Sequence, residues 1–281
     1  MWIARSKLAL KQELKEVNSA ITLVPTMGAL HDGHASLIKE ARQHAGPDGK
    51  VLVTIFVNPI QFDKPSDLAN YPRTQEADLA ICEQFGADGV FIPDEGEIYF
   101  PDRSITITEN DLSMHLCGAT RPGHFDGVCT VVFKLFQLTR CNTAIFGEKD
   151  FQQLAIIKRM IRDLDLDVEI IAHPTIRESD GLAMSSRNRR LTKEQRADAP
   201  RIYQALLAGT EEANAQQILK VTKEMLGQSS QAQIDYLSLV DAETLEPTEN
   251  LQSPSALACA VFYGTIRLID HVSLPAKLSA D

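Results

Sequence analysis

Five short runs rich in β-branched and other apolar residues, at 21–25, 51–59, 88–93, 143–147 and 167–174, leave few positions that tolerate water and read as buried parallel strands. The intervening segments 33–45, 74–86, 128–139 and 150–164 carry apolar residues at helical spacing, as in the stripe Leu154, Ile157, Ile161 and Leu164. Such alternation predicts a Rossmann-like, doubly wound α/β parallel sheet, because each parallel neighbour needs a crossover long enough to hold a helix. The pattern changes after Pro174: a polar loop leads to a helical region from about Lys193 to Leu226, and then to strand-like runs at 234–240, 256–263 and 265–272. A domain boundary is therefore expected near Thr175, with the sheet domain at 1–175 and a smaller C-terminal α+β domain, helices against an antiparallel sheet, at 176–281.

Charge and composition narrow the partners. Asp and Glu number 38 against 28 Lys and Arg, a formal charge of −10 with no basic block, so nucleic acid is an unexpected partner. No segment approaches an uninterrupted apolar span, and no membrane association is expected. The first twenty residues lack an apolar stretch with a small-residue cleavage site, and Cys82, Cys117, Cys129, Cys141 and Cys259 form no C-x-x-C pair. Both points suggest a reducing, cytoplasmic setting and no zinc site.

In a doubly wound sheet, ligands bind beyond the carboxyl ends of the strands, so residues just after 25, 57 and 146 are where chemistry is expected. The first of these places holds Met27, Gly28, Ala29, Leu30, His31, Asp32, Gly33 and His34, opening directly into a helix. Backbone N–H groups and the helix dipole there attract phosphate, and two imidazoles can donate to phosphoryl oxygens as charge shifts. With only Asp32 nearby as a further ligand, His31 and His34 do not read as a metal pair. Gly147, Glu148, Lys149 and Asp150 make a second anion-friendly corner, where Lys149 can neutralise phosphate and Asp150 either caps its helix or meets a ribose hydroxyl. Met184, Ser185, Ser186 and Arg187 form a polar loop able to close over a triphosphate, although alone such a loop is usually just solvated. Gln61 and Gln153 are neutral amides suited to a substrate hydroxyl or carboxylate, although base rates favour an ordinary loop or helix-surface amide for each taken singly. Residues 121–125, Arg-Pro-Gly-His-Phe, are read as a turn.

The paired imidazoles after the first strand, the Lys corner and the Ser-rich loop resemble the nucleotidylyl-transfer α/β superfamily. Within it, PTMGALHDGH, FVNPIQF, YPRT, RPGHF, FGEKDFQQL and DGLAMSSRN, in order across residues 24–190, resemble the pantothenate synthetase family. That resemblance implies a nucleotide- and pantoate-binding first domain and a C-terminal lid. It implies ATP-dependent joining of pantoate to β-alanine through an acyl adenylate, with release of AMP and pyrophosphate, magnesium as cofactor, and a cytoplasmic homodimer. It also implies ATP contacts at residues 27–34, 147–150 and 184–187, with His34 as the catalytic proton donor. Gln61 falls on a position for pantoate and β-alanine, Gln153 on one for pantoate, and Ile176 on a backbone contact to adenine. Ala35 stands where the family often has leucine and Phe151 where it commonly has tyrosine. The magnesium ligands are not assigned. An adenylyltransferase that stops at the adenylylated product and a non-catalytic nucleotide sensor are the rival readings.

Overall fold

The computed structural model describes residues 1–277, which divide into two compact units. The first comprises Met1–Glu109, Arg121–Glu148 and Ile156–Pro174; the second comprises Asn110–Thr120, Lys149–Ala155 and the chain from Thr175 onward.

The first unit holds strands β1 (Trp2–Ala4), β2 (Ile21–Thr26), β3 (Lys50–Ile55), β4 (Gly89–Phe91), β5 (Thr143–Gly147) and β6 (Glu169–His173). They form one sheet in the order β1-β4-β3-β2-β5-β6, and every pairing is parallel. All five expected strands are present: 143–147 keeps its bounds, 21–25 gains Thr26, and 88–93 and 167–174 are trimmed at both ends. The run 51–59 stops at Ile55 because Asn58 and Pro59 turn into the short 3-10 helix Pro59–Gln61. The sixth strand, β1, was not anticipated, since three residues are too few to show a period. Gly89 makes room for it: a Cβ there would lie 2.2 Å from the Trp2 indole.

From β2 the chain proceeds to β3 and β4 on one side, then crosses to β5 and β6 on the other. The strand order therefore reverses between β2 and β5, where diverging crossovers leave a crevice at the strand C-termini. The helix Asp32–Ala45 buries Ala35, Ile38 and Ala41, and a core of Val24, Ile38, Val51, Val53, Val90 and Ile145 lies on the sheet. The small Ala35 side chain is enclosed there. The helix His124–Thr139 begins four residues earlier than its periodicity indicated, and is buried along most of its length.

In the second unit, β7 (Ala232–Asp241), β8 (Ser255–Tyr263) and β9 (Ile266–Leu274) form an antiparallel sheet in sequence order. The long helical region is three helices, Lys193–Asp198, Arg201–Thr210 and Ala215–Gly227, separated at Pro200 and at the Asn214 cap. Ile202, Leu206 and Ile218 pack with Leu257, Val261 and Tyr263 to form its core. Among the described residues, no helix is long and apolar enough to cross a membrane.

One close approach fixes the turn after β3. A Cβ at Gly127 would stand 2.6 Å from the Ile60 carbonyl oxygen and 2.8 Å from the Gln61 Cα. Both are backbone atoms that cannot rotate aside. Gly127→Ala should therefore cost roughly 1–3 kcal/mol of stability, read as a lower urea midpoint; an unchanged midpoint would mean the turn yields freely.

Candidate active site

At the C-terminal end of β2 the chain makes a turn with two consecutive positive φ values, 78° at Gly28 and 51° at Ala29. The second is unusual for a residue with a Cβ. Asp78, on the helix Gln75–Gln84, accounts for it: one carboxylate oxygen accepts from the Ala29 N–H at 3.0 Å and the other from the Leu30 N–H at 2.8 Å. Thr74 donates its hydroxyl to the same carboxylate at 2.9 Å. The Asp78 residue is only 1% exposed, and a Cβ at Gly28 would meet it at 3.1 Å. Asp78 escaped the sequence reading. The available signal was an acid on the buried stripe of a helix, one turn before the fully enclosed Cys82.

His31 caps the helix Asp32–Ala45. Its Nδ1 accepts from the Gly33 N–H at 3.2 Å, and the His34 Nδ1 accepts from the His31 N–H at 3.4 Å, completing a reciprocal capping box built from imidazoles. The two rings sit 4.1 Å apart, centroid to centroid. An imidazole nitrogen that accepts carries no proton, so in the neutral ring the proton of each is on Nε2. The cap thus sets both tautomers and makes each Nε2–H a donor at a helix N-terminus. Asp32 is exposed and Gly33 half-buried.

Gln61 is buried and held from several sides. Its Oε1 accepts from Asn58 Nδ2 at 2.9 Å, Asn58 also donates to the Gly127 carbonyl at 3.0 Å, and the Asn58 Oδ1 accepts from the Tyr99 hydroxyl at 2.7 Å. The Gln61 Nε2 faces Met27 Sδ at 3.1 Å. With the carbonyl oxygen engaged, the amide has a donor to offer. Residues 121–125 do form a turn, with Gly123 at φ 76°, and they do more. His124 Nδ1 lies 2.7 Å from the Gln61 carbonyl oxygen and can only donate to it; Arg121 donates to that oxygen at 3.3 Å and pairs with Asp63 at 3.0 Å. Desolvation would raise the Asp63 carboxyl, but the Arg121 bond and charge outweigh it and hold the pKa below its usual value. Gly147 and Glu148 close β5, the neighbour of β2, so this corner shares the strand-end edge with the turn after β2.

The remaining candidates belong to the second unit. Lys149 lies 3.7 Å from Asp150 and keeps a partly exposed ammonium. Of the two adjacent glutamines, Gln152 is structural: its amide donates to the Leu112 and His115 carbonyls at 2.8 and 2.7 Å. Gln153 is half-buried. Phe151, the common tyrosine position, stacks on His271 at 4.8 Å. Ile176 accepts at its carbonyl from the Met184 N–H at 2.9 Å, which ties the two ends of a hairpin together. Ser185 caps the short helix Ser186–Arg190 by accepting from the Arg187 N–H at 3.3 Å.

All five cysteines are buried. Burial, with nearby acids, pushes the Cys82 and Cys129 thiols up to about 12, and burial alone takes Cys141 to about 11. At a pKa of 12 the thiolate fraction at pH 8 is about one in ten thousand. Native protein should therefore leave these thiols unmodified by a thiol reagent at pH 8 and expose them only on denaturation. Rapid native labelling with loss of activity would reinstate a thiol in the chemistry. Asp78→Asn should leave one of two buried N–H groups without an acceptor, costing about 1–3 kcal/mol and lowering kcat/KM as the turn relaxes. Unaltered stability and kinetics would show that the turn holds itself.

The family model for pantoate-beta-alanine ligase matches residues 3–273. Pantothenate synthetase of Akkermansia muciniphila is 51% identical over 258 residues, 90% of this chain and 92% of that protein. The Desulfovibrio desulfuricans enzyme of the same name is 47% identical, covering 90% and 91%. Among solved structures, pantothenate synthetase from Thermus thermophilus superposes with a TM-score of 0.92 at 38% identity, covering 98% of this chain and all of that one. Pantoate-beta-alanine ligase from Francisella tularensis, complexed with beta-gamma ATP and beta-alanine, gives 0.82 at 34% identity, covering 97% of each.

Proposed function

This chain belongs to the pantoate–β-alanine ligase family, and from that premise we propose that it condenses pantoate with β-alanine at the expense of ATP, releasing AMP and pyrophosphate. The observation that carries the reading is the imidazole capping box, which engages Nδ1 of both His31 and His34 and so leaves the ring proton of each on Nε2, at the helix N-terminus that follows β2. A ligand binding there with charge shifting onto its oxygens fits displacement at a phosphorus.

In the first step the pantoate carboxylate attacks the α-phosphorus of ATP, and pyrophosphate leaves. His31, His34 and Lys149 stabilise the displaced charge, His34 acting as proton donor to it. In the second step the free amine of β-alanine attacks the pantoyl adenylate at its acyl carbon and releases AMP. No enzyme nucleophile is needed, in keeping with the buried cysteines. Met27, Gly28, Ala29, Leu30, Asp32 and Gly33 shape the phosphate cradle. Gly147, Glu148 and Asp150, the Ile176 backbone and Met184, Ser185, Ser186 and Arg187 supply further ATP contacts. Gln61, as an amide with a donor to offer, recognises a hydroxyl or carboxylate oxygen of pantoate and then β-alanine, and Gln153 recognises pantoate.

Magnesium enters with ATP as part of the substrate. Among the described residues no group of three or more His, Cys, Asp or Glu is suited to hold a metal ion, and the polyphosphate supplies its natural oxygen ligands. The family resemblance further supports a cytoplasmic homodimer, with residues 1–175 binding nucleotide and pantoate and residues 176–281 serving as a lid.

AMP release from ATP and pantoate, followed with and without β-alanine alongside pantothenate by mass spectrometry, tests this reading. AMP and pantothenate should appear together only when the amine is present. A stable adenylylated product with no amine requirement would instead identify an adenylyltransferase, and binding without turnover a sensor. His34→Ala should lower kcat by roughly 10²–10³-fold, measured as single-turnover adenylate formation, and a rate near that of the parent would remove His34 from the chemistry.

A further inference from the structure

Arg196 lies outside every motif considered above, yet it organises the segment that carries Ser185, Ser186 and Arg187. One guanidinium nitrogen donates to Asp180 at 2.7 Å and another to Glu178 at 2.6 Å. Its own position is set by the helix Lys193–Asp198, which is anchored by a complete Thr192/Gln195 capping box. Glu178 and Asp180 stand on a hairpin. The Glu178 N–H bonds to the Leu182 carbonyl at 2.8 Å, the Gly181 N–H bonds back to Glu178 at 2.9 Å, and Gly181 turns the chain at φ 94°. The base of that hairpin is fastened by Arg177, whose guanidinium is bidentate to the nearly enclosed Asp270 at 2.6 and 2.9 Å and lies 3.5 Å above the Tyr203 ring.

Asn188 links the hairpin to the Ser/Arg segment. Its amide donates to Glu178 Oε1 at 2.8 Å and to the Ala183 carbonyl at 3.1 Å. Glu178 therefore uses one oxygen for Arg196 and the other for Asn188, with residues 184–187 lying between Ala183 and Asn188 in the chain. Through Asn188, the orientation of the Ser185-capped turn depends on where Arg196 holds Glu178. The mutual charge is felt at both ends: the Arg196 bond and charge hold Asp180 below its usual carboxylate range, and both acids raise Arg196. Isolated exposed ion pairs contribute little to stability. A guanidinium shared by two carboxylates, one of them also holding an amide, fixes direction as well as distance.

We propose that Arg196 is a positioning residue for ATP, acting through Glu178 and Asn188 to pre-form the turn at residues 185–187. This rests on the reading that residues 184–187 bind ATP. Pre-ordering removes the entropy that a slack Ser/Arg loop would lose on meeting a triphosphate. Its loss should therefore weaken nucleotide binding without touching pantoate binding.

The test compares Arg196→Gln, Glu178→Gln and Arg196→Lys with Arg187→Gln, measuring KM for ATP and for pantoate, kcat, Tm and amide exchange over residues 177–190. Arg196→Gln should raise KM for ATP roughly tenfold and speed exchange across the segment, while KM for pantoate and Tm stay near those of the parent. Glu178→Gln should act in the same direction, and Arg196→Lys should recover part of the loss by keeping one charged bond. An unchanged KM for ATP in Arg196→Gln, with Arg187→Gln raising it, would overturn the positioning role and leave the ATP reading intact. An unchanged KM in Arg187→Gln would overturn the ATP reading and the positioning role together. Parallel rises in both KM values with a lower Tm would mark a general stability effect and also overturn it.

Discussion

Two consecutive residues of positive φ at the end of β2 present the buried Ala29 and Leu30 N–H groups to one carboxylate, that of Asp78. A buried N–H without a partner is costly, and the Asp78 carboxylate is what makes the turn tolerable. From that turn follow the entry angle of the helix Asp32–Ala45, the position of His31 as its cap and the placement of His34 one turn further on. A carboxylate serving two backbone amides is also a buried charge. It is matched by two N–H dipoles and a hydroxyl.

The capping box connects folding to chemistry. Helix caps are usually Ser, Thr, Asp or Asn, which satisfy orphan N–H groups and do little else. Here imidazoles do the same work through Nδ1, and the act of capping determines which nitrogen keeps the proton. A structural requirement of the helix and the presentation of two N–H donors are thus met by the same hydrogen bonds. Gln61 follows a similar logic: Asn58 occupies its oxygen, His124 and Arg121 hold its main chain, and a donor is what remains. Tyr99, whose phenol is pushed well up by burial, completes this set as a proton donor to Asn58.

The second unit achieves order by a different route. Its hairpin at 176–184 buries Leu182 and Ala183 and is held by guanidinium–carboxylate geometry, Arg177 with Asp270 at the base and Arg196 with Glu178 and Asp180 at the tip. A loop that looks solvated by composition is in fact locally bonded through Ser185 and Asn188.

By itself the sequence determined the periodic features: five of the six parallel strands, the antiparallel C-terminal sheet and the glycine- and histidine-bearing turn after β2, because burial periodicity and turn chemistry are local properties of a few adjacent residues. The three-residue β1 was too short to show any period, and the breaks within 193–226 lay in a cap and a proline whose effect depends on what the flanking helices pack against. Nor could local pattern distinguish Gln152, which ties down the carbonyls of Leu112 and His115, from its neighbour Gln153. Asp78, Asn58 and Arg196 were invisible for one reason. Each acts on a group distant in sequence, backbone N–H or carbonyl for Asp78 and Asn58 and carboxylates for Arg196, whose need for a partner arises only once the chain has folded.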